Sequence, residues 1–257
     1  GALESPALLM RSGIGPRDVL KKAGVACLID LPGVGRNRQD HLLGAGNLYA
    51  AKRPVPPSRL QHSESMAYMR AGDFAATGQP DIVVGCGIAP IVSERFKAPA
   101  AGTAYSLLFG VTHPTSRGTI RISGPEPEDR LIIDPGYLQT ERDRALLRQA
   151  LKTAREIGNH NELSAWRERE LLPGDLKSES DMDAFIAQAV TTHHHPCGPC
   201  RLGQDTQAVV AADLRLHALD NLFVADASVM PSLTAGPIHA AVLAIAERLA
   251  RNITTAV

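Results

Sequence analysis

The sequence predicts a mixed α+β/α/β chain whose middle carries a mainly antiparallel sheet with flanking helices. Strand-like runs (Ile82-Val83-Val84, Ser106 to Val111, Thr119 to Ile122, Leu131 to Ile133) are punctuated by Gly and Pro. Asp143 to Ile157 instead places Leu146, Leu147, Ala150, Leu151 and Ala154 at helical spacing, and Asp181 to Val190 reads as a second helix. Strands grouped apart from helices point to antiparallel pairing with helices on one face.

Texture divides the chain into three regions. From Gly1 to about Asp40 the order is helix, helix, short strand. Ser5-Pro6 opens the run Ala7-Leu8-Leu9-Met10 in the manner of an N-cap, and Gly13 and Gly15 close it. Pro16 starts a second helix through Val19, Leu20 and Ala23. The strand Ala26 to Ile29 follows, broken by the turn Pro32-Gly33-Val34-Gly35. The mixed middle region runs from about His41 to Val190. From Thr191 come the His193-His194-His195-Pro196-Cys197-Gly198-Pro199-Cys200 segment, a strand from Leu222 to Asp226 and a closing helix from Pro237. Proline suits a first helical position because its missing N–H has no acceptor there. Ile238, Val242, Leu243, Ile245, Ala246 and Leu249 give that helix a core-facing stripe.

Bulk properties exclude several function classes. The 257 residues suffice for one large domain or two modest ones. The 27 basic and 27 acidic residues cancel, and aromatic residues are few, which argues against a nucleic-acid partner. No apolar stretch is long enough to span a bilayer. Four scattered cysteines (Cys27, Cys86, Cys197, Cys200) do not make a disulfide framework, so a reducing cytoplasm is expected. Gly1 opens what reads as the middle of a turn-and-helix unit, as in a piece of a longer protein.

Chemistry concentrates near residue 195. Cys197-Gly198-Pro199-Cys200 has the spelling of a redox dithiol, but Arg201-Leu202-Gly203 lacks the helical pattern that would depress the first thiol's pKa. The cysteines with the three histidines also suggest a zinc site. In an extended segment, however, at most two of the three imidazoles share a face. Small core residues are the favoured reading, with no metal. His193 and His195 would share a face if extended, and a neutral imidazole can take a hydroxyl proton without a metal. Gly33-Val34-Gly35 is a GxG without the third glycine of a dinucleotide fingerprint, so a tight turn is expected. His41 and His217 are weak candidates, and Trp166 among its charges reads as half-buried scaffold.

Several motifs together carry a family resemblance. Gly1 to Gly15, with its Ser5-Pro6 and Ser12-Gly13-Ile14-Gly15, resembles the second signature of the glucose–methanol–choline (GMC) oxidoreductase family. Leu31 to His41 is similar to the next landmark, with Arg38 where Leu is more usual. Thr115 to Thr119 and Ile133 to Leu138 resemble two landmarks of that family's substrate domain. His195 to Gly203 resembles its His-Pro-x-Gly-Thr-Cys-x-Met-Gly, with Pro199 for Thr and Leu202 for Met. Asn221 to Pro231 and the helix from Pro237 resemble its C-terminal end.

The resemblance implies part of a split FAD-binding domain, residues 1–45 and 191–257, around a substrate domain at 46–190. The family's GxGxxG portion, N-terminal to these segments, is absent from this sequence, and without it the chain should bind FAD weakly or not at all. His195 would be the base on a substrate hydroxyl, with hydride passing to flavin N5. Asp226 would hydrogen-bond the ribityl chain, backbone N–H groups near Ile238 and His239 would face the flavin's pyrimidine edge, and Ala227 and Pro237 would also contact the cofactor. Pro237 stands where the family usually has a second catalytic His or Asn, so His193 or His239 would supply that contact. The His193/His195 doublet with this proline is similar to family members that oxidise the 4-hydroxymethyl of pyridoxine to the aldehyde. The implied reaction turns an alcohol, pyridoxine, and O2 into pyridoxal and hydrogen peroxide. Alternatives are a dehydrogenase with another acceptor or another alcohol, choline-like or aryl, and a zinc or thiol module.

Overall fold

The computed structural model describes residues 1–58, 61, 63–71 and 78–255. They form two compact units. The first joins Gly1–Asp40, Ser116–Gln139 and His194–Val257; the second joins His41–Thr115 and Thr140–His193. In chain order the elements begin α1 (Glu4–Arg11), β1 (Ile14–Gly15), α2 (Arg17–Lys22), β2 (Ile29–Asp30), β3 (Leu42–Gly44), β4 (Leu48–Ala51), β5 (Ser63–Met69) and β6 (Ile82–Gly87). There follow β7 (Ala104–Val111), β8 (Thr119–Ile122), β9 (Leu131–Asp134), α3 (Glu141–Asn159), β10 (Arg167–Leu172), α4 (Glu179–Ala189), β11 (Val190–Thr192) and α5 (His239–Thr255).

In the first unit, α1 buries Ala7, Leu9 and Met10 against Ile120 and Ile122 of β8 and Cys200, Val209 and Val210. Gly13 ends the helix at φ +78, a backbone state that costs a side chain energy. Ser5 is not its cap. The helix begins two residues earlier than a Ser5 cap would have it, at Glu4 after Leu3, and the Ser5 hydroxyl donates instead to Asp226 at 2.5 Å. Of the expected strand only Ile29 is in β2, which pairs in parallel with β1, while 26–28 stay outside it.

The β8–β9 hairpin corrects the sequence reading most. It pairs only with itself and lies in the first unit, not in the large sheet. The reason is backbone bonding. Arg38 and Gly118 exchange bonds of 3.0 and 2.8 Å, and Ile120 N–H donates to the Gly35 carbonyl at 2.7 Å. Leu222 to Asp226 likewise departs from a strand. Phe223 makes one isolated bridge to Arg215, and among the described residues no strand lies beside this run. Helix α5 begins at His239, so Pro237 is not its first residue and Ile238 is buried just before it; on the helix Leu249 is buried, but Leu243, expected in the core-facing stripe, is 57% exposed.

The second unit is organised by β7, whose eight residues are all buried. β6 pairs with one edge of β7 and carries β5 beyond it. The other edge takes β3 at Phe109–Val111 and β4 at Ser106–Ala104, so these two short strands act as one interrupted strand. β11 extends the sheet from β3 and β10 from β4, and all pairings are antiparallel. Helix α3 covers the sheet with Leu146, Leu147, Ala150, Leu151 and Ala154, as its spacing predicts. Thr140 caps α3, and a Ser178/Asp181 capping box starts α4.

At one end of this face Tyr49, Asn47 and Arg155 converge on Glu170. Arg155 makes two bonds of 2.9 and 2.7 Å to that carboxylate, and Asn47 Nδ2 adds a third at 3.1 Å. Gly158 lets α3 approach: a Cβ there would stand 2.2 Å from the Tyr49 ring. Gly→Ala inside a helix ordinarily gains about 1 kcal/mol. Gly158→Ala is predicted to lose about 1–3 kcal/mol by overpacking, read as a lower denaturant midpoint. An unchanged or raised midpoint would contradict this packing.

Candidate active site

The first unit brings three sequence-distant pieces together: the segment from His195 to Leu202, the Asp226–Met230 turn and the start of α5. Gly198, Cys200 and Leu202 N–H groups donate to the carbonyls of Ala227, Ser228 and Val229 at 3.1, 2.8 and 2.8 Å. Cys197 packs with Met230, Leu233 and Ile238, which ties the first piece to the helix start. His195, Asp226, Ala227 and Ile238 are thus gathered by backbone bonds and one small core. Ile238 is buried, whereas Pro237 and His239 are exposed at the mouth of α5.

The stretch before His41 anchors the His195 segment. Gln39 and Cys197 exchange two backbone bonds of 2.9 Å, and Gln39 Nε2 donates to the Pro231 carbonyl at 2.9 Å. Asp40 Oδ1 accepts the His195 N–H at 3.1 Å. Its other oxygen accepts from Arg38 Nη2 at 3.0 Å and the Tyr137 hydroxyl at 2.9 Å. Arg38 and Asp40 are 5% and 2% exposed, so this is a buried ion pair. Burial, followed by the Asp40 charge, raises the Tyr137 pKa, which keeps that hydroxyl a donor.

Asp226 caps the short 3-10 helix Ala227–Val229 through a 2.7 Å bond from Ser228 N–H. Burial works against its charge. The bonds from Ser228 and Ser5 nevertheless hold the carboxyl below the usual carboxylate range. Because the folded value is depressed, its stabilisation is present above the unfolded pKa and fades as pH falls through the folded one.

Cys197 and Cys200 are fully buried and lie in different clusters of core residues. Burial pushes both thiols up to about 12. That is opposite to an activated dithiol. Gly33 and Gly35 serve close backbone approach: a Cβ would stand 2.1 Å from the Gln207 carbonyl and 2.2 Å from that of Ile120. The turn reading of this GxG therefore stands.

His193 and His195 do not lie on one extended segment as their spacing predicts. Strand β11 stops at Thr192, and His194 takes φ 61, so strand alternation does not run through the triplet. His193 belongs to the second unit, where its N–H donates to the His41 carbonyl at 3.2 Å and the two rings lie 6.3 Å apart. His217 holds the Gly203 carbonyl at 2.9 Å, a structural job. Trp166 is half-buried under the Arg53 guanidinium, 3.6 Å from its ring centre. Sequence reasoning missed Asp40, Arg38 and Tyr137. Their signal lay in two landmark segments whose polar residues are buried here.

The thiol geometry predicts a labelling pattern. In the folded protein a maleimide or iodoacetamide should modify the half-buried Cys27 well before Cys197 or Cys200, which should react only after denaturation. Equal labelling of the 197/200 pair, or its oxidation to a disulfide without unfolding, would contradict the core assignment.

Residues 114–246 match the family described as GMC oxidoreductase. The chain is 68% identical over 255 residues to pyridoxine 4-oxidase of Microbacterium luteolum, covering 99% of this chain and 50% of that protein. It is 34% identical to human mitochondrial choline dehydrogenase, over 97% of this chain and 46% of that one. The crystal structure of pyridoxine 4-oxidase from Mesorbium loti superposes with a TM-score of 0.95 at 75% identity, over 98% of this chain and 50% of that one. The chain therefore spans about half the length of these relatives. With the family match over half of its residues and this agreement in fold, the chain belongs to the GMC oxidoreductase family.

Proposed function

We propose that this chain is the C-terminal half of an FAD-dependent alcohol oxidase that converts pyridoxine to pyridoxal and reduces O2 to hydrogen peroxide. The observation that carries this reading is the identity with pyridoxine 4-oxidase across nearly the whole chain. In it the first unit contributes to the FAD-binding domain and the second to the substrate domain. Free cysteines support the cytoplasm as the compartment. No described helix is long and apolar enough to cross a membrane.

The residues present fit FAD. The Asp226 side chain is 26% exposed and each oxygen takes one internal donor, which leaves lone pairs for a ribityl hydroxyl. Helix α5 starts at a surface with Pro237, His239 and Ala240 exposed, and the first N–H groups of a helix lack helical acceptors. Such a terminus suits the negative charge that a flavin ring gains on reduction.

Bound FAD would supply the acceptor for a hydride and a route for the electrons to O2. His195 would take the hydroxyl proton of the alcohol, which makes its carbon a hydride donor. The Asp40 contact and the Gln39–Cys197 bonds hold the chain on both sides of that imidazole. Pro237 has no polar side-chain atom, so the second hydrogen bond to the alcohol falls to His193 or His239. Alanine at the residue responsible should raise KM and lower kcat.

The full-length flavoprotein tests this directly. Its oxidised spectrum should bleach without oxygen when pyridoxine is added, and peroxide should form in air. His195→Ala should keep the flavin and lose about 10²–10⁴-fold in bleaching rate. Bleaching by choline or an aryl alcohol but not by pyridoxine would overturn the substrate. Bleaching without peroxide in air would favour a dehydrogenase, the reading that the choline dehydrogenase relative supports.

A further inference from the structure

We infer that Asp40 is a positioning residue for His195, fixing the course of its backbone through the His195 N–H. This rests on the reading of His195 as the base. Three features converge on that one bond. His194 adopts φ 61, in the left-handed region that side chains other than Gly, Asn, Asp and His rarely enter. Pro196 has no N–H to anchor the chain on the other side. His195 N–H therefore lies at the only donor position between a left-handed residue and a proline, and Asp40 Oδ1 accepts from it at 3.1 Å.

The carboxylate is in turn immobilised. Arg38 and Tyr137 hold its second oxygen, and Arg38 Nη1 also reaches the Pro135 carbonyl at 3.4 Å. The guanidinium lies 5.7 Å from the Tyr137 ring centre. The paired Gln39–Cys197 bonds, one residue from Asp40 and two from His195, set the register beside that contact. A carboxyl side chain buried to 0% exposure needs partners in place, and Arg38, Tyr137 and the His195 backbone supply them here. The arrangement sends the constraint from Arg38 and Tyr137, through Asp40, to the backbone that carries the imidazole.

Separating the acceptor from the charge tests this. Asp40→Ala removes both. Arg38→Met with Asp40→Asn removes the ion pair but keeps an oxygen for the His195 N–H. Each variant is made in the full-length flavoprotein and followed by amide hydrogen exchange in overlapping peptides across 190–198, by flavin content and by the anaerobic rate of flavin reduction with pyridoxine. Asp40→Ala should expose one additional amide, exchanging about tenfold or more faster. Its reduction rate should fall about ten- to a hundredfold, with KM and flavin content close to wild type. The Arg38→Met/Asp40→Asn double variant should restore both the protection and the rate.

Full protection and rate in Asp40→Ala would overturn the proposal. So would a double variant as impaired as Asp40→Ala, or one that fails to fold, because the charge pair rather than the His195 contact would then be what Asp40 supplies. If His195→Ala keeps the wild-type rate, the base assignment fails and the positioning role fails with it. The exchange data then still show whether the contact exists, which distinguishes the two failures.

Discussion

The stretch from Gly35 to Asp40, bridged at Arg38 and Gln39 after left-handed turns at Gly35 and Asn37, is the constraint on which the first unit depends. That unit is assembled from three separated parts of the chain, so non-local bonds must hold it. Successive residues of an extended strand direct their N–H and C=O to opposite edges. Arg38 accordingly bonds Gly118 on one side and Gln39 bonds Cys197 on the other. Gly35, in a left-handed turn, adds two more bonds by donating to the Pro199 carbonyl and accepting from Ile120. Six residues thus bind the β8–β9 hairpin and the His195 segment at once. Asp40 ends the stretch with a side-chain acceptor where backbone pairing stops.

Local backbone chemistry then decides where reactive groups stand. The turn at Asp226 is fixed by its own cap, and the start of α5 is fixed by Ile238 and Cys197 in a shared core. On the proposed function both placements must be firm, since a misplaced base loses rate steeply. The second unit solves a different problem. Its sheet grows outward from the fully buried β7, and α3 seals one face. The Glu170 cluster satisfies polar groups that this packing removes from water.

Legibility in the sequence followed the strength of the local signal. α3, β6 and β7 were readable because their burial is one-sided or complete, and both patterns leave apolar runs. β10 was hidden because Arg167-Glu168-Arg169-Glu170 alternates charges rather than apolar residues, and its stability comes from the pairing with β4 and the Arg155 bond. β3 and β4 are too short to show a period and form only as two pieces against one long neighbour. Within the site, His195, Asp226 and the α5 start were visible in motifs. Asp40 and Tyr137 also stood in motif segments, but their bond was not legible because it joins residues far apart in sequence. Ser5 misled for a related reason: its hydroxyl serves Asp226, distant in the chain, and not its own helix.

The central claim, that a precisely held His195 removes the substrate proton, is tested most directly by pH. The measurement is the anaerobic rate of flavin reduction by pyridoxine across pH in the full-length protein, compared with His195→Ala. The account predicts a rate that falls on the acid side through one ionisation, as a base becomes protonated, and a variant from which that limb has vanished. A limb that survives in the variant, or a wild-type rate flat across the range, would contradict it.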